Sequence, residues 1–74
     1  MEQQTASNAA PATKNDLYAH LGDELTNDNG MSLGTLDRVR AAYDFCEFKT
    51  QDGKTVRRDV DDILNFANNG YSFD

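Results

Sequence analysis

The pair Asp52-Gly53 limits the fold of this chain more than any other feature. Asp-Gly between strand-compatible residues is among the strongest short-range signals of a β-hairpin. A two-residue loop would set Lys49 opposite Val56 and leave Phe48 against Arg57. A three-residue loop, a type I turn closed by a left-handed Gly53, pairs Thr50 with Lys54 instead. That register sets Phe48 against Val56 on one face and Glu47 against Arg57 on the other. Apolar then meets apolar and acid meets base, which favours the three-residue loop.

Helical spacing flanks the hairpin on both sides. Thr13 or Asn15 caps a first helix, Asp16 suits its dipole, and Leu17, Leu21 and Leu25 recur every four residues. The turn formers from Thr26 to Gly30 end it. Ser32 opens a second helix, with Leu33, Leu36, Val39, Tyr43 and Cys46 on one stripe. Gly34 weakens its first turn, so Thr35 is an alternative cap. Phe45 falls off that stripe: the helix stops near Asp44 and a strand takes over, or Phe45 is shown to a partner. The adjoining hairpin favours the strand. Asp59 caps a third helix whose apolar face is Val60, Ile63, Leu64 and Ala67, and Asn68-Asn69-Gly70 stops it. Tyr71 and Phe73 follow as a short aromatic tail. The predicted fold is α+β, a small single domain ordered helix, helix, β-hairpin, helix over residues 13–74. A disordered, polar leader over residues 1–12 precedes it.

Size and charge bound the function. At 74 residues the chain holds one domain at most, with a marginal core that efficient packing or a partner must complete. The lone Cys46 rules out an internal disulfide, and with the lone His20 it builds no zinc site. A secreted domain this small usually carries covalent staples, so the expected compartment is the cytoplasm. No stretch is apolar enough for a membrane span, and the leader lacks the pattern of a signal peptide. The formal charge of −6 disfavours bulk adhesion to nucleic acid or anionic lipid. Yet six of the seven basic residues lie in segment 38–58 against three acids (Asp44, Glu47 and Asp52), a local +3 between acidic flanks.

Catalytic signatures are missing. The turn Asn27-Asp28-Asn29-Gly30 has the oxygens of a calcium loop but the wrong frame, with Leu25 and Leu36 at its outer ligand positions. His20, with Asp16 and Glu24 a turn away on either side, reads as a solvated histidine on a helix. Cys46 reads as a half-buried core thiol. Asp61 and Asp62 read as helix-start electrostatics. No enzyme, cofactor or metal is expected.

Two binding functions fit what remains. The first is a small acidic protein-interaction module, inhibitor- or adaptor-like. It would dock on another protein's basic surface through Asp59, Asp61 and Asp62, with Phe66, Tyr71 and Phe73 as anchors. The alternative is a winged-helix-like DNA-binding regulator, with Arg38 and Arg40 on a recognition helix and Lys54, Arg57 and Arg58 on the wing. A third reading makes the tail aromatics the interface of a symmetric homodimer.

Overall fold

The structure, a computed structural model, describes residues 10–74. It is dominated by one antiparallel five-stranded sheet, not by three helices. The strands are β1 (Glu24–Asn27), β2 (Ser32–Arg40), β3 (Phe45–Lys49), β4 (Thr55–Asp59) and β5 (Tyr71–Phe73). They lie in the order β4-β3-β2-β1-β5, so β2 is central and β4 and β5 are the edges. One α-helix, α1 (Val60–Ala67), joins β4 to β5, and a 3-10 helix over Lys14–His20 precedes β1. The helix-helix-hairpin-helix order is therefore overturned, and the winged helix goes with it, because Arg38 and Arg40 lie on a strand.

The β3–β4 hairpin has the register set by its Asp-Gly turn. Phe48 pairs with Val56 and Glu47 with Arg57. The Thr50 N–H donates to the Lys54 carbonyl at 2.8 Å, and Gly53 sits at φ +84. A left-handed residue there closes the loop without splaying the strands, which a side chain would resist.

The predicted second helix is β2, and a β-bulge explains the error. Leu36 pairs with Phe48 but Arg38 with Glu47, so Asp37 is an extra residue with no partner on β3. The extra residue puts Leu36 and Val39 on the same face although they are three apart, which mimics a helical stripe. A 3-10 turn over Ala41–Tyr43 and a left-handed Asp44 (φ 60) then lead into β3. Tyr43, expected in the core, is 74% exposed, whereas the strand beginning at Phe45 is as expected.

The first helix is short. Thr13 is its cap, and the Asp16 carboxylate accepts from the backbone N–H groups of Thr13 and Ala12, each at 3.0 Å. Those two donors, Thr13 first, hold the Asp16 carboxyl below the usual aspartate range. The helix ends at His20, so Leu21 is exposed and Leu25 belongs to β1. Asn27 turns the chain as a hairpin: its side-chain oxygen accepts from the N–H groups of Asn29 and Met31 at 2.9 Å each.

Helix α1 starts and stops where its sequence indicates. Asp59 occupies the cap position, although its side chain makes no capping hydrogen bond. Val60, Ile63 and Ala67 are buried and Leu64 is half-buried. The Asn68 and Asn69 side-chain amides donate to the Leu64 and Asn65 carbonyls at 2.7 and 2.6 Å. The expected aromatic tail is β5, an edge strand that pairs Phe73 with Leu25 and Tyr71 with Asn27.

The core lies between one face of the sheet and the two helical segments. Leu17, Leu25, Leu36, Cys46, Phe48 and Ile63 are completely buried there. Burying such side chains contributes about 1.5–3 kcal/mol each before the cost of ordering the chain. Of the leader expected over residues 1–12, residues 1–9 lie outside the described residues. Pro11, at its other end, is buried beside a cavity of about 180 Å³ that His20 and Phe73 also line.

Candidate functional site

With helices on one face, the strands' other face is left to carry chemistry. Alternation along β3 sends Cys46 and Phe48 into the core and Phe45, Glu47 and Lys49 outward. The bulge at Asp37 brings Arg38 and Arg40 to that outer face, opposite Glu47 and Phe45. Arg57 joins them from β4, opposite Glu47.

Glu47 is the pivot of this cluster. One of its oxygens accepts from Arg57 Nη2 at 3.3 Å, and the other lies 3.8 Å from Arg38 Nε. Its side chain is only 18% exposed, so the screening that weakens surface pairs acts less on it. Arg57 also lies over the Phe45 ring, 4.0 Å from its centroid. Phe45 in turn stacks with Tyr43, centroids 6.5 Å apart. The result is a flat patch in which one guanidinium is held from two sides beside an exposed tyrosine. Lys49 and Arg40 flank it with no carboxylate in ion-pair range among the described residues. The patch offers cationic donors and aromatic area, and no nucleophile paired with a base.

The structure splits both sets of residues singled out from the sequence. Of the basic set, Arg38, Arg40 and Arg57 share the outer face. Lys54 stands in the hairpin turn with Asp52 at 3.8 Å, and Arg58 points to the opposite face of the sheet. Of the acidic and aromatic set, Asp61 and Asp62 are exposed in the first turn of α1, and Asp59 ends β4. Phe66 and Tyr71 meet edge to face at 5.2 Å. Phe73 is in the core, stacked on His20 at 4.5 Å and unavailable as an anchor.

A groove of about 380 Å³ lies between β4 and α1, lined by Arg58, Asp62, Asn65, Phe66 and Asn69. Sequence reasoning missed this groove and the role of Tyr43, and offered Phe45 as shown to a partner only as the alternative to a strand start. The two-residue alternation of Phe45, Glu47 and Lys49 against Cys46 and Phe48 was the signal that could have found the patch.

His20 is not the solvated residue its neighbours suggested. It is 7% exposed, with Nδ1 3.4 Å from an Asp23 oxygen, while the Glu24 carboxylate accepts from the Ser32 hydroxyl at 2.6 Å instead. Among the described residues, no three His, Cys, Asp or Glu side chains stand together as a metal site. No helix there is long and apolar enough to cross a membrane.

Cys46 is fully buried, and burial pushes its thiol up to about 11, with Arg58 opposing and Asp59 adding to the effect. At pH 8 its thiolate fraction is then about a hundredfold below that of an ordinary cysteine. Native protein is expected to react with a disulfide reagent at least that much more slowly than urea-unfolded protein. Equal rates would place Cys46 at the surface. The same shift makes the native state lose stability as pH rises from the unfolded thiol's value towards 11, because the unfolded chain ionises first.

Comparison with known proteins finds no family model, no curated protein and no solved structure that this chain matches.

Proposed function

We propose that the chain is a small non-enzymatic protein-interaction module of the inhibitor or adaptor kind, working in the cytoplasm. It presents the outer face of β2, β3 and β4 to another protein. The observation that carries this reading is Arg57, held at once by Glu47 and the Phe45 ring beside the exposed Tyr43. Arginine and tyrosine dominate the energetic centres of protein interfaces, and a guanidinium already fixed in place loses little freedom on docking. The cations Arg40 and Lys49, without an acidic partner among the described residues, suit an acidic partner surface. The cytoplasmic assignment is supported by a buried free thiol in a domain too small to do without staples outside the cell.

The test is capture from nuclease-treated source-cell lysate on the immobilised full chain. A double variant, Arg40→Ala with Tyr43→Ala, removes exposed groups without touching the core. It is expected to weaken retention of the captured protein by about 30-fold, with an unchanged circular dichroism spectrum. The charge reversal Asp61→Lys, outside that face and the groove, is expected to leave retention unchanged. The opposite pattern would move the interface to the acidic start of α1 and a basic partner. Retention of nucleic acid alone would make the arginine–aromatic face a single-strand binder instead.

A further inference from the structure

β4 is an open edge, and its backbone is arranged to take another strand. The Thr50–Lys54 bond fixes which β4 groups face β3. Pairs then alternate, so Val56 and Arg58 exchange bonds with β3 while the N–H and C=O groups of Thr55 and Arg57 point away from it. Among the described residues, no backbone group is bonded to them from the far side.

A second observation at the same edge is independent of the backbone. Arg58 lines the groove between β4 and α1, and its Nε is shut off from solvent with no acceptor within reach. A buried donor without a partner costs about 1–3 kcal/mol, and native proteins rarely leave one. Arg58 has no carboxylate in ion-pair range among the described residues, Asp62 included.

We propose that β4 receives an extended acidic segment of the partner protein by strand addition, a mode that rests on the protein-binding function above. Side chains of an added strand alternate between the two faces of the sheet. On one face they stand beside Arg57; on the other they enter the groove beside Arg58. A carboxylate in the groove binds Arg58 and the amides of Asn65 and Asn69. A second copy of this chain is a poor occupant. Antiparallel β4 pairs centred on Arg57 or Arg58 set that arginine against itself, and a pair centred on Val56 sets Lys54 against Arg58. Like charges directly opposite destabilise a sheet.

The experiment is a titration of the ¹⁵N-labelled full chain with a blocked heptapeptide, Thr-Val-Glu-Val-Glu-Val-Thr, up to about 5 mM. Its counterpart with Lys in place of Glu is the control. The expected result is shifts at the Thr55 and Arg57 amides and at Arg58 Nε–H, with the Lys peptide inert. Thr55→Pro removes an outward N–H without costing a β3 bond and is expected to abolish binding. Arg58→Met is expected to weaken it about tenfold. Shifts confined to Arg40, Tyr43 and Phe45 would overturn strand addition while leaving the outer face as the docking surface. Equal binding of both peptides, or no shift at all, would also overturn it. Loss of the lysate partner from the Arg40/Tyr43 variant bears on the function itself, so the two ideas fail separately.

Discussion

Gly34→Ala is expected to destabilise the domain by about 3–5 kcal/mol, enough to leave much of it unfolded at 25 °C. Gly34 lies in β2 at φ +102, where an L-residue is strained by roughly 1–2 kcal/mol. Space is the larger problem. A Cβ built there would stand 2.7 Å from the Lys49 carbonyl oxygen and 3.2 Å from its carbon. Both atoms belong to the backbone of β3, which is bonded to β2 on one side and β4 on the other. Retreat of β3 would disturb both ladders at once. Gly53→Ala is the control, since its φ is +84 but nothing lies within 4 Å of the added carbon. That variant is expected to lose only about 1 kcal/mol. Thermal unfolding followed by circular dichroism separates the two, at about 4–8 °C of midpoint per kcal/mol in a domain this size. Equal midpoints for the two variants would show that β2 and β3 do not approach as closely as described.

Phe48→Ala is the second large effect, expected at about 3–5 kcal/mol. The ring is fully buried at the middle of the sheet, with Leu36 and Val56 paired on either side. Few side chains in so small a core could move to refill its volume. Urea unfolding is expected to show a lower midpoint with little change in slope. Tyr43→Ala, at an exposed ring that stacks with Phe45 on the other face of the sheet, is expected to stay within about 0.5 kcal/mol of wild type. If Phe48→Ala proved as mild as Tyr43→Ala, the inward face of β3 would be misassigned.

Local signals were legible wherever one element decides its own shape. The Asp-Gly turn and its cross-strand pairs defined the β3–β4 register, and caps with a four-residue apolar face defined α1. Signals failed where a second element decides. Leu17 and Leu25 are both buried, yet they come from a 3-10 helix and a strand, and the exposed Leu21 between them completes the stripe only by coincidence. Asn29-Gly30 was as strong a hairpin signal as Asp52-Gly53. Apolar spacing on either side made it look like a helix stop. Tyr71 and Phe73 alternate with Ser72 as a strand does, but three residues are too few to outweigh the end of a helix. In the candidate site the residue types were readable and their grouping was not. Arg57 and Arg58 are neighbours in sequence and stand on opposite faces, a separation visible only once the pairing of β4 is known.

The bulge in β2 separates what the core needs from what the surface shows. Without Asp37, Leu36, Arg38, Val39 and Arg40 would alternate in, out, in, out against the same β3 partners, so the interior is indifferent to that residue. What the extra residue changes is the local twist of β2, and with it the angle at which Arg38 and Arg40 leave the sheet. Chain length at this one point therefore sets how Arg38 and Arg40 are aimed, while the same β3 residues remain their partners.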